Sequence, residues 1–252
     1  KDGAIDALVT APIDKEMIQS ANFPYTGHTE FLAKELDGEP LMMMCSELMR
    51  VGLATIHLPV AKVAEALSEE LIAKRIRQIN ASLRQDFGIV RPRIAVMALN
   101  PHAGDGGLLG EEEQQIIKPA IEQCYGEDIL AFGPFAADGF FAAGAYKQYD
   151  AILAMYHDQG LAPFKTLSPD GVNFTASLAA VRTSPDHGVA YDIAGRGVAD
   201  PQSMRNAIYD AIDIVRRRDA WTEWNENPLQ HFEREKGRDI SVKDLPETEP
   251  ND

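Results

Sequence analysis

Residues 93–107 read RIAVMALNPHAGDGG, and this stretch decides the fold. From Ile94 to Leu99 the chain is apolar without alternation, the pattern of a strand buried on both faces. The run stops at Asn100-Pro101 and turns through a Gly- and Asp-rich loop. It then enters residues 111–124, where Ile117, Ala120, Ile121 and Cys124 share one side of a helix that Pro119 should kink. Strand, loop and helix in succession form the repeating unit of an α/β protein.

The same unit recurs outward from this point. Residues 4–9, 129–132 and 151–155 read as further buried strands. Residues 41–45 and 51–56 are apolar runs joined by a short polar link, which predicts a hairpin. Helical periodicity covers residues 68–87, where Ile72, Ile76, Ile79 and Leu83 share a face and Gly88 acts as a stop. It covers residues 203–218 as well, with Met204, Ala207, Ile208, Ala211, Ile212 and Val215 expected inward. Asp200 and Pro201 suit the start of that helix, and Arg216, Arg217 and Arg218 suit its end. Shorter helices are expected within 13–21 and 31–36. The pattern predicts an α/β sandwich with a largely parallel sheet and an antiparallel piece near 41–56. From Glu233 the chain is charged and Pro-containing and reads as a surface tail.

Composition sets the outer bounds. The 252 residues carry 24 Lys and Arg against 39 Asp and Glu, a net charge of −15. Non-specific nucleic-acid binding and docking on anionic membranes both need clustered basic residues, so neither is expected. A local pocket for a small anion stays open. The two cysteines, Cys45 and Cys124, form no CxxC pair and fit free thiols in a reducing compartment, the cytoplasm by default. The chain opens Lys1-Asp2-Gly3 without Met, as though cut from something longer.

The histidines carry the most information. His57, His102 and His157 each follow an apolar strand-like run, and ligands bind beyond the carboxyl ends of strands in open α/β sheets. Three imidazoles delivered there suit a divalent metal with positions left open for substrate. The alternative is that each His merely closes a loop. Gly104-Asp105-Gly106-Gly107 lacks the Lys-Ser/Thr of a phosphate loop, and Glu111, Glu112 and Glu113 behind it would repel a phosphate. It reads better as an element that shapes the surroundings of His102. Residues 186–200 (DHGVAYDIAGRGVAD) hold Gly195-Arg196-Gly197 but no third Gly at dinucleotide-fold spacing, and their Asp/Gly/His mix favours a binding loop. Lys165 and Arg182, with Asn173 between them in sequence, could clamp a carboxylate or phosphate.

Taken together the motifs resemble one family. TAPIDKE (10–16), GHTEF (27–31), HLP (57–59), NPHAGDGG (100–107), GPFAAD (133–138), AMYHDQGLAPFK (154–165), VNFT (172–175) and RTSPDHG with DIAG (182–195) occur in the order found in the 4-hydroxythreonine-4-phosphate dehydrogenase family of pyridoxal phosphate biosynthesis. The resemblance implies a two-domain α/β/α sandwich like that of the isopropylmalate and isocitrate dehydrogenases. It divides the chain into 1–22 with 158–252, and 23–157, and implies that a further N-terminal segment belongs to the first domain. It implies a homodimer with the site at the subunit interface, so the metal histidines need not come from one chain.

Residue by residue, the resemblance implies metal ligands at His57, His102 and His157, for Zn, Mg or Co. Substrate contacts would be His28, Thr29, Lys165, Asn173 and Arg182. Lys165, Asp158 and Asp138 are the candidates for catalytic proton transfer, the two aspartates falling in motifs of the same cleft. His187, Gly188, Asp192, Ala194 and Gly195 would hold the adenosine part of NAD, or of NADP. Residues 176–180 (ASLAA) depart from the usual Gly-Leu-Pro pattern after VNFT. The implied reaction oxidises the C3 hydroxyl of 4-phosphooxy-L-threonine and then releases CO2 to give 3-amino-2-oxopropyl phosphate. The alternatives are a relative acting on 4-phosphoerythronate or 4-phosphothreonate, a metal-dependent phosphohydrolase, and an inactive fragment.

Overall fold

A computed structural model describes residues 3–229 apart from 21, 22, 26 and 37. The expected tail from Glu233 lies outside the described residues. The strands are β1 (Ala7–Val9), β2 (Gly38–Cys45), β3 (Arg50–Leu53), β4 (Arg93–Met97), β5 (Leu130–Phe135), β6 (Ala151–Ala154), β7 (Val172–Leu178) and β8 (Val181–Pro185). The α-helices are α1 (Lys15–Ile18), α2 (His28–Glu35), α3 (Val63–Ala66), α4 (Glu69–Gln85), α5 (Lys118–Tyr125), α6 (Ala137–Ala142), α7 (His157–Leu167) and α8 (Gln202–Glu226).

All eight strands join one sheet in the order β1-β8-β7-β2-β3-β6-β4-β5. One half is parallel, with β3 against β6, β6 against β4 and β4 against β5. In the other half β3–β2, β2–β7 and β7–β8 are antiparallel, and β1 runs parallel to β8 at the edge. The segments expected as two domains meet inside the sheet, where β2 pairs with β7. The antiparallel part is wider than expected, because β7 and β8 add a hairpin to the one formed by β2 and β3.

Alternation along each strand supplies both faces of the sheet. Ile94 and Val96 pack with Ile72, Ile76, Ile79, Leu83 and Phe174 on the side covered by α4, α5 and α8. Ala95 and Met97 pack with Leu53, Ile152, Phe140, Leu161 and Phe164 on the side covered by α6 and α7. Each fully buried side chain of this kind stabilises the fold by roughly 1.5–3 kcal/mol. The result is the α/β/α sandwich expected from the sequence.

Local chemistry explains the helix ends. Ser68 caps α4 by accepting from the Leu71 N–H at 3.1 Å. Pro119 lies in the first turn of α5, preceded by a wide five-residue turn at Glu113–Ile117; this is the irregularity expected of a proline that has no N–H to give. Pro201 is the cap position of α8, rather than a first-turn residue, and Asp200 before it accepts from the Gln202 N–H at 2.9 Å.

Two expectations for α8 are corrected. Its buried stripe is Ser203, Ala207, Ala211 and Ile214, while Ile208 and Ile212 are exposed. Small residues face the sheet because the helix sits close on it: the Thr183 hydroxyl donates to the Ala207 carbonyl at 2.7 Å. Nor does α8 end at the arginines. It runs on to Glu226, and Arg218 instead pairs with the buried Asp86 at 2.7 Å.

Candidate active site

Arg182 is the most buried of the site residues expected from the sequence. It stands in β8, 5% exposed, beside β1 and β7. Its Nε and Nη2 donate to the Thr10 hydroxyl at 3.1 and 2.7 Å, and its Nη1 donates to Thr175 at 3.2 Å. Its Nη2 also lies 3.3 Å from His28 Nδ1. These three partners are uncharged, and among the described residues no carboxylate pairs with this guanidinium. Burial pushes its pKa down to about 10, against the pull of Glu30, which still leaves it charged at neutral pH.

His28 and Thr29 occupy the first turn of α2, so the helix N-terminus faces the same space. Burial, helped by the Arg182 charge, lowers the His28 pKa. A guanidinium only donates, so neutral His28 must accept at Nδ1 and carry its proton on Nε2. That leaves one imidazole N–H as a donor at the cleft wall. Asn173, in β7, has a buried Oδ1 without a hydrogen-bond partner among the described residues. These residues line a cleft of about 210 Å³ together with Thr29, Glu30, Met42, His57, Ser184, His187 and Gly188.

The histidines come from three adjacent strands. His57 follows β3, His157 opens α7 directly after β6, and His102 follows β4. The His57 and His157 rings lie 6.0 Å apart, centroid to centroid. Each has a carboxylate at its Nδ1: Asp158 at 2.7 Å from His157, and Glu30 at 3.9 Å from His57. A carboxylate behind Nδ1 is the usual support of an imidazole that ligates through Nε2. Gln159 fixes the start of α7 by accepting from the Met155 N–H at 2.7 Å and donating to the Ala98 carbonyl at 2.6 Å.

His102 and Asp138 stand apart from this cleft. They line an open hollow of about 470 Å³ with Asn100, Phe141, Tyr156 and Gln159. Among the described residues, no three His, Cys, Asp or Glu side chains gather closely enough to hold a metal ion. One chain therefore offers a pair of imidazoles and, separately, the third.

Lys165 lies beside the cleft, paired with Asp186 at 3.1 Å and donating to the Asp186 carbonyl at 3.2 Å. Burial raises the Asp186 pKa, and Lys165 opposes that rise. The loop after β8 is exposed. His187 lines both the cleft and a neighbouring hollow of about 260 Å³, whereas Asp192, Ala194 and Gly195 line neither. Nothing lies within 4 Å of where a Cβ on Gly188 or Gly195 would sit, so the backbone there is open to a close approach. Sequence reasoning missed Thr10, Thr175 and Asp186. Thr10 and Thr175 sit inside the quoted motifs TAPIDKE and VNFT, and only the strand pairing shows that they converge on Arg182.

Comparison with known proteins fits this geometry. Residues 1–211 match the family model described as pyridoxal phosphate biosynthetic protein PdxA. A 4-hydroxythreonine-4-phosphate dehydrogenase of Bacteroides thetaiotaomicron is 52% identical over 248 residues, covering 96% of this chain and 67% of the relative. The crystal structure of 4-hydroxythreonine-4-phosphate dehydrogenase from Klebsiella pneumoniae superposes with a TM-score of 0.74 at 40% identity, over 84% of this chain and 65% of that one. A terephthalate 1,2-cis-dihydrodioldehydrogenase from Burkholderia xenovorans shares the fold with a TM-score of 0.65 at 27% identity, over 84% and 67% of the two chains. The chain thus spans about two thirds of the length of the relatives it matches. On the extent of the family match and the identity to its relatives, the chain belongs to the pyridoxal phosphate biosynthetic protein PdxA family.

Proposed function

We propose that the protein oxidises 4-phosphooxy-L-threonine at its C3 hydroxyl, with NAD as hydride acceptor, and releases CO2 to leave 3-amino-2-oxopropyl phosphate. The observation that carries this reading is the Arg182 cluster. A buried cation with only uncharged partners, an Asn173 carbonyl unpartnered among the described residues and a helix N-terminus share one cleft wall; a small molecule with an anionic end and a hydroxyl or amino donor answers all three. The nearby His57–His157 pair adds metal-binding capacity.

In this reading Arg182, the His28 Nε2–H and Thr29 bind the anionic end of the substrate. Asn173 receives a hydrogen bond from its hydroxyl or amino group. His57 and His157, the latter supported by Asp158, would hold a divalent metal with His102 as the third ligand. In this reading two copies of the chain share the three ligands in a homodimer, which agrees with His102 lining a separate hollow, and Asp138 would enter beside His102. The metal would lower the pKa of the substrate hydroxyl and withdraw electrons as the carboxylate leaves. Lys165, held by Asp186, would move the proton. The loop from His187 to Gly195 would take the adenosine part of NAD or NADP, with His187 at the junction of the two hollows.

The test is turnover by the full natural protein with 4-phosphooxy-L-threonine, NAD and a divalent metal, followed as NADH and CO2. The 4-phosphoerythronate and 4-phosphothreonate analogues are run in parallel. Faster NADH formation from an analogue would move the substrate assignment to that analogue. Phosphate release without NADH would replace the reading by a phosphohydrolase.

A further inference from the structure

We propose that Glu113 is a positioning residue for His102, acting through a left-handed turn that its buried carboxylate shapes. After β4 the chain makes five consecutive left-handed residues: His102, Ala103, Gly104, Asp105 and Gly106, with φ of 52°, 53°, 78°, 44° and 67°. Three of them carry a Cβ, which crowds the next carbonyl in this conformation. Such a run persists only where its surroundings over-determine it.

Glu113 supplies that determination. It is fully buried at the start of the wide turn before α5, and no cation pairs with it among the described residues. Its Oε1 accepts from the Leu99 and Asn100 N–H groups at 2.8 and 2.7 Å, and its Oε2 accepts from Asn100 Nδ2 at 3.1 Å. The turn is wound directly against this carboxylate: a Cβ on Gly104 would sit 2.6 Å from Oε2. The Leu109 N–H closes the turn on the Gly104 carbonyl at 3.0 Å. Glu113 thus fixes where β4 ends and how the chain winds before it presents the exposed His102. A buried, unpaired carboxylate is expensive to retain for packing alone.

The proposal rests on the metal reading of His102 for the first half of its test. The probe is cobalt(II), titrated into the full natural protein and followed by its visible absorption. Glu113→Gln keeps the volume and one acceptor oxygen but turns an N–H toward Asn100 Nδ2. Its expected effect is cobalt binding at least tenfold weaker, with cooperative unfolding preserved. On a His102→Ala background the same substitution should change affinity less than twofold. Wild-type affinity in Glu113→Gln, or an equal loss on both backgrounds, overturns the proposal. If His102→Ala itself binds cobalt as the wild type does, the metal reading fails. The proposal is then judged on the 13Cα shifts of residues 102–105, which report positive φ: their loss in Glu113→Gln supports it and their retention overturns it. Should Glu113→Gln not fold, Asn100→Ala removes one of the three donors. A loss of several-fold in the same direction is expected, and no change overturns the proposal.

Discussion

In the parallel half of the sheet, β3, β6 and β4 end in loops and a helix start that carry His57, His157 and His102. In the antiparallel half, Asn173 and Arg182 stand within β7 and β8 themselves. The first arrangement separates function from the core, since the imidazoles sit beyond strands whose own side chains fill the interior. The second merges the two. Arg182 touches Thr10, just past β1, and Thr175 of β7, so the side chain proposed to bind the anion also ties strands together. Substitutions should therefore cost stability and binding together in one half, and binding alone in the other.

The largest effect is expected at Arg182. Arg182→Ala leaves Thr10, Thr175 and His28 without their shared donor, and truncation of a buried, hydrogen-bonded charge costs about 2–5 kcal/mol. Denaturant unfolding and KM for the phosphorylated substrate should both worsen. An unchanged stability with a raised KM would break the comparison. In the parallel half, His157→Ala should weaken metal binding at least tenfold by calorimetry, while unfolding free energy moves by no more than about 0.5 kcal/mol, as for a surface site. A large loss of stability there would break it from the other side.

Thr175→Val sharpens the contrast. It is nearly isosteric and removes one acceptor from Arg182, so about 1 kcal/mol of stability and a few-fold rise in KM are expected in parallel. The smallest effect concerns pH. His28 titrates below its ordinary value of 6.5 in the fold, chiefly through burial and then through Arg182. Between that lowered value and 6.5 the unfolded chain binds more protons. The His28 contribution is therefore present above 6.5 and lost as pH falls through this window. Urea unfolding at pH 7.5 and 5.5 should show a smaller loss on acidification in His28→Asn than in the wild type. Equal losses would show that His28 does not titrate in this way.

What was legible in the sequence follows the same division. The parallel strands are continuous apolar runs, so the ends of RIAVMAL and AILAM, and the histidines after them, stand out. The antiparallel half gave weaker signals. β7 and β8 went unassigned as strands, because VNFTASL and VRTSP interleave polar residues that were read as cleft side chains. They are both: alternation puts Phe174 in the core, and the neighbouring Asn173 Oδ1 is buried beside the cleft. α7 was not expected because Gly160 and Pro163 lie inside it. Periodicity finds α8 and places Ala207 and Ala211 inward, as they are, but adds Ile208 and Ile212, which are exposed, since composition cannot show that a close-packed neighbour prefers alanine to isoleucine. In the sequence Glu113 reads only as one of three acids that would repel a phosphate. Its burial depends on the unusual turn folded over it, which no local pattern announces.

Pro163 has a mechanical meaning for His157. Lacking an N–H, it leaves out the helical rung to the Gln159 carbonyl. The side chain of that same Gln159 is fastened to β6 and β4. The opening turn of α7 is thus anchored on the sheet and linked to its own far end by one rung fewer. The position of the His157 imidazole is therefore set by the strands more than by the rod that it begins.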